Sequence, residues 1–266
     1  FPFGKVSLTD KEMPVRVTVL GWSPFIPGDP DNSSLPVGGL EYVLENTSTK
    51  PQEMIFSYHA RNFLSWGKGV DAIKVMPHGF VLSQAGTEAE PHLQGDFAIF
   101  TDEDSPKINY CWFRGGWFDS LTMVWNAIES GLMPQSPAVE KGAPGASIFI
   151  PVTLMPGDKK TIRIYTAWYV PCSTLRIGEE PEDWNDNNVA PATLALERAD
   201  QGNYKPWYSS RFAGIDEVID YLLTHYKTLR EQTEKFTESF YRSTLPSELI
   251  EAVSANLSIL KSPTVM

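Results

Sequence analysis

The chain has 266 residues, is 42% apolar and 21% charged, and carries a formal net charge of −11. Those fractions suit a globular protein able to bury a core, and no apolar run approaches the roughly 20 residues that span a bilayer. The acidic balance argues against nucleic acid, whose phosphates need a basic surface, and disfavours electrostatic docking on anionic lipid.

The chain opens FPFG, without an initiator Met, a basic leader or an apolar leader core. Either a signal peptide has been removed or the chain is an excised piece of a longer one. Val15, Val17 and Val19 alternate with Arg16, Thr18 and Leu20, which predicts a strand. A loop follows, with Pro24, Pro27, Pro30 and Pro36, through which no helix can run. Its polar centre, Gly28 to Ser34, carries side-chain acceptors suited to turns, while Trp22, Phe25, Ile26 and Leu35 are expected to tie it over a core.

LEYVLEN and MIFSYHA both alternate with period two around the turn Asn46–Pro51, and together they predict an antiparallel hairpin. Further strands are expected at Gly79–Ser83, Asp96–Thr101, Ala146–Leu154 and Lys160–Val170. The aromatic run Asn109–Arg114 reads as half-buried strand, and Trp117–Ile128 as a short amphipathic helix. Glu129–Gly145 is rich in Pro, Gly and Ser and reads as a surface loop; Leu175–Gln201 is acidic and irregular. Many short strands with regular turns favour a sandwich over alternating βα units.

The pattern changes after Arg211. Apolar residues at 215, 218, 219, 222, 226, 229, 236 and 240 predict one long helix from Ile215 to Tyr241, with Asp216 and Glu217 favourably placed in its first turn. After Pro246, with Ser243 or Thr244 near the cap, Leu249, Ile250, Val253, Leu257 and Leu260 mark a second helix. The expected architecture is mainly β: a large antiparallel β-sandwich over 1–211, a linker helix over 212–245, and over 246–266 the first helix of a truncated α/α barrel.

Two stretches resemble the N-terminal domain of glycoside hydrolase family 116, which holds the non-lysosomal glucosylceramidases (bile-acid β-glucosidases) and their bacterial relatives. The first contains SPFIP, DNSSLPV and LEYVLENTSTKP; the second is YSSRF, a long helix and STLPSELIEAVSANLSILKSPTVM. The resemblance implies a parent protein that hydrolyses β-glucosides, glycolipids among them, with retention. It also implies that the nucleophile and acid/base lie in a helical domain beyond the point matching Met266, so no catalytic residue is assigned here. That helical domain is the implied partner. The alternative is a carbohydrate-binding or structural sandwich without hydrolytic relatives.

The residues themselves support no competing chemistry. Retaining glycosidases need two carboxyls about 5–5.5 Å apart. The acidic sets Asp102/Glu103/Asp104 and Glu179/Glu180/Glu182/Asp183 read as solvated loop charges, and Asp119 has no site context. Asp29 to Ser33 resembles the opening of a calcium loop, but Ser34 and Leu40 stand where Gly and Glu are needed, so turn capping is expected. His59, His78, His92 and His225 form no metal-ligand spacing, and no cofactor is expected. Cys111 and Cys172 are expected to be buried free thiols. Trp112, Trp117, Trp125, Trp184 and Trp207 suit core or interface packing before sugar stacking. The expected docking face for the helical domain is Pro206, Trp207, Arg211 and Phe212 with Leu249, Val253 and Leu257.

Overall fold

The structure, a computed structural model, describes residues 1–65, 71–173 and 205–261. Trp184, the Glu179–Asp183 set and most of the acidic stretch after Leu175 lie outside the described residues.

Among the described residues, ten strands form two antiparallel sheets. They are β1 (Gly4–Leu8), β2 (Val15–Trp22), β3 (Val37–Asn46), β4 (Gln52–Arg61), β5 (Asp71–Met76), β6 (Gly79–Gln84), β7 (Gly95–Thr101), β8 (Lys107–Asn109), β9 (Gly145–Leu154) and β10 (Lys159–Tyr169). The large sheet runs β1-β2-β3-β10-β7-β6-β5 and the small one β4-β9-β8. Between them lies a core of Leu44, Phe80, Leu82, Ile99, Ile148, Ile150, Ile162 and Ile164, with Met54 and Phe56 packed at its margin. The strands that reach this core face it with every second residue, as a sandwich interior requires.

The expected hairpin does not form. β3 and β4 belong to different sheets: β3 pairs with β2 and β10, and β4 pairs with β9. Both edges of β3 are occupied, so the chain turns a corner at Asn46 and lays β4 across the core, where the Tyr42 and Phe56 rings meet at 4.9 Å. β9 and β10 are joined by a second corner at Met155–Asp158, beside the first. Asn46 holds the two together. Its backbone N–H donates to Asp158 and its carbonyl accepts from Gly157. Its buried side-chain amide donates to the carbonyls of Lys50 (2.8 Å) and Leu154 (3.0 Å). Residues 110–114 are also not a strand, because β8 stops at Asn109. Cys111 and Trp112 are buried all the same, with the Trp112 N–H donating to the Gly145 carbonyl.

The large sheet is buried on its other face too. Helix α4 (Ile215–Tyr241) lays Ile215, Val218, Ile219, Leu222 and Leu229 over Val81, Ala98, Phe100, Tyr165 and Ala167. The helix is therefore a third layer of the packed structure. Arg230 fastens it to β3, with its Nε 2.9 Å from Glu41 Oε1 and its guanidinium over the Phe3 and Trp22 rings. The proline-rich loop is tied down here: Trp22, Phe25 and Leu35 are buried, and the Phe25 N–H donates to Thr233 Oγ1 at 3.1 Å. Against the expectation that the prolines exclude any helix, a four-residue helix α1 (Pro30–Ser33) forms within that loop, with a proline in its first turn where no N–H is needed, and is capped by Asp29, which accepts the Asn32 N–H. The calcium-like spacing is thus used for capping.

Helix α2 (Ser120–Glu129) starts later than the sequence pattern suggests, at the Asp119 cap. A short helix α3 (Tyr208–Arg211) precedes α4, and α5 (Ser247–Leu257) follows it. Pro246, and neither Ser243 nor Thr244, occupies the α5 cap. Both cysteines are free; Cys111 is buried, but Cys172 is half-buried, not fully enclosed.

Candidate domain-docking site

The expected docking residues fall into two groups. Ahead of α4, the Tyr208 hydroxyl exchanges hydrogen bonds with the backbone of Val170, anchoring α3 to the end of β10. This sets Arg211 among three rings: its guanidinium carbon lies 5.3 Å from the Trp207 ring, 5.2 Å from Phe212 and 4.4 Å from Tyr221. Such cation–π contacts hold the planar cation in place as its water is removed. Tyr221 in turn stacks on His225 at 4.1 Å and donates its hydroxyl to Asn32 Oδ1 at 2.7 Å. Phe212 is buried within the chain itself, whereas Trp207 remains exposed. Arg211 Nη1 is enclosed without a hydrogen-bond partner among the described residues, a donor that calls for an acceptor.

Beyond the other end of α4 stands the second group. Leu249, Val253 and Leu257 recur every fourth residue on α5, so they form one stripe. Leu249 and Val253 are exposed, and an open apolar groove runs along Val253, Leu257, Ile259 and Leu260. The 27 residues of α4 separate the groups by roughly 40 Å along the helix axis. They are two patches, one at each end of the helix, where the sequence suggested one face.

Among the acidic candidates, Asp102, Glu103 and Asp119 are engaged structurally. Asp102 pairs with Arg163 (3.0 Å) and accepts from the Tyr165 hydroxyl (3.1 Å), and Glu103 pairs with Lys160 (2.7 Å). Asp119 caps α2, and the Thr122 side chain leads the hydrogen bonds that hold its carboxyl below the usual range. His59 bridges Ser57 (2.9 Å) and Ser147 (2.8 Å) on the outer face of the small sheet, and burial lowers its pKa. Among the described residues no group of three or more His, Cys, Asp or Glu side chains is placed to hold a metal ion.

The tryptophans divide. Trp112 is buried, with its indole N–H donating to Ser147 Oγ at 2.8 Å. Trp117 is 94% exposed, and Phe118, Leu121 and Trp125 beside it are also open. This aromatic knuckle had a sequence signal in its tryptophan density, but nothing in the pattern distinguished it from core.

Among the described residues the chain is a three-layer assembly of two antiparallel sheets and a covering helix, with exposed apolar side chains near both ends of that helix. The family model described as beta-glucosidase 2, glycosyl-hydrolase family 116 N-term matches residues 1–229, and the chain belongs to that family. No curated protein matches it. Among solved structures it is similar to a putative kojibiose phosphorylase from human microbiome at 12% identity and a TM-score of 0.39, a likeness too distant to inform fold or function. The match covers 90% of this chain and 23% of that one. No helix among the described residues is long and apolar enough to cross a membrane.

Proposed function

We propose that this chain is the N-terminal support of a retaining β-glucosidase of the glucosylceramidase type, and that it docks a helical catalytic domain of the same protein. The observation that carries the reading is the family match over residues 1–229. Both patches support it. The α5 stripe offers apolar surface of the kind that marks an interface. Exposed Trp207, with the Arg211 guanidinium packed on its ring, offers an aromatic anchor, a residue type frequent at interface hot spots. The catalytic carboxyls belong to the docked domain, and glycolipid β-glucosides are the substrate class.

Light scattering on the chain tests the docking face. The chain alone is expected to self-associate through the α5 stripe, and Val253→Lys with Leu257→Lys to return it to a monomer. A monomeric unsubstituted chain with an exposed, protease-labile C-terminal helix contradicts the interface.

The second reading, a sugar-binding module, is favoured by the knuckle alone. Trp125 donates to Glu129 Oε1 at 2.8 Å, so an aromatic plate and a carboxylate lie side by side in the open.

A further inference from the structure

In the sandwich, seven strands face three. The Tyr42–Phe56 contact places the middle of β4 over β3, and β9 on its other side reaches β6, so the free edge of β4 points toward the side where β2 and β1 extend. The register pairs Val6 with Val19 and Leu8 with Val17, placing all four on the inner face with Val15. Yet Val6 and Leu8 are 56% and 53% exposed. Met54, Phe56 and Tyr58, the inward residues of β4, are only half-buried. The inner face of the large sheet thus has an uncovered step beside an open strand edge.

That edge is unusual in its chemistry. β4 is ten residues long, pairs with β9 without a bulge, contains no Pro, and carries its charges, Glu53 and Arg61, only near its two ends. Native proteins blunt exposed edges by shortening, bulging or charging them. The other edges here follow the rule: β8 has three residues, β1 has five and carries Lys5, and β5 carries Lys74. No strand among the described residues pairs with the outer edge of β4. On alternate residues its N–H and C=O groups point away from β9.

We propose that the outer edge of β4 is a strand-acceptor site. Its occupant is one extended polypeptide strand from outside residues 1–266, antiparallel to Gln52–Arg61, with alternate apolar side chains laid over Val6, Leu8 and Val19. The row of backbone donors and acceptors selects a strand, since a helix or a lipid leaves those groups unpaired. The open step supplies the apolar half of the recognition. Charge sets the ends: Glu53 and Arg61 are both exposed on the outward face, so the occupant carries an acid opposite Arg61 and a base opposite Glu53. A second copy pairing β4 to β4 also matches these charges, but its own β3 and β10 would need the space that β2 and β1 fill. The site therefore takes a lone strand.

The test is amide hydrogen exchange on the full chain, read residue by residue. The probe is the capped peptide Glu-Val-Thr-Val-Thr-Val-Thr-Val-Lys-Val, written to run antiparallel to β4. Its control is the same peptide N-methylated at alternate residues on the edge that would meet β4. In the free chain the outward amides of β4 exchange quickly and the β9-facing ones slowly. The probe slows the outward set by about tenfold or more, and the methylated control does not. Three results overturn the proposal: no slowing with the probe, equal slowing with the control, or outward amides already slow in the free monomer. Protection that is present without peptide and lost on dilution assigns the edge to a second copy, and overturns it as well.

Discussion

At the scale of single residues, Asn46 shows how a sandwich corner is held. Its side chain donates to two carbonyls and accepts from the Ser48 N–H, all in a position 1% exposed. Asn46→Ala leaves the Lys50 and Leu154 carbonyls short of a donor at both corners. We expect a loss of about 2–4 kcal/mol, read as a lower urea midpoint at unchanged slope. Tyr226 supplies a pH dependence. Burial first, then the neighbouring Glu41 carboxylate, pushes its phenol up from the usual 10 to about 12. The fold holds the neutral form, so this stabilisation is whole below pH 10 and is lost as pH rises from 10 through about 12. Tyr165 is raised as well, by burial and then by Asp102, and adds to the same alkaline loss. The urea midpoint is expected to fall across that window, and to fall less steeply in Tyr226→Phe. An equal fall in both proteins rules out this role for Tyr226.

At the scale of elements, α4 binds the outer face of the large sheet. Leu222 is 2% exposed at the centre of that contact, and Leu222→Ala is expected to cost about 2–5 kcal/mol of unfolding free energy. A change below about 1 kcal/mol would show that the helix contributes little to the packed core. The helix was legible in the sequence from Ile215 to Tyr241 because its apolar spacing is uninterrupted by Pro or Gly. Its packing partner was not: Tyr165, Ala167 and Tyr169 lie on the alternate face of β10, and alternation shows that a strand has two faces without naming what covers each. The hairpin expectation failed for the related reason that period two gives a face and not a neighbour. Nothing in LEYVLEN and MIFSYHA tells a pair within one sheet from a pair stacked across a core. β1 and β5 carry little apolar rhythm because each is short: β1 is exposed throughout, and Ile73 alone is fully buried in β5.

At the scale of the whole molecule, membership of the family rests on the match across residues 1–229, and the sequence already carried it in SPFIP, DNSSLPV and YSSRF. Of the expected docking residues, Trp207, Leu249 and Val253 are exposed apolar side chains next to helix signals, whereas Phe212 is buried. Their separation by the length of α4 needed the structure, since only the helix axis converts residue number into distance. We propose that this chain supports β-glucoside hydrolysis without performing it. The direct measurement is turnover of a fluorogenic β-glucoside by the purified chain, beside variants of its own acidic candidates, Asp102→Asn, Glu103→Gln and Asp119→Asn. The account predicts no turnover above buffer in any of them; turnover that follows the purified chain and vanishes in one of the variants contradicts it.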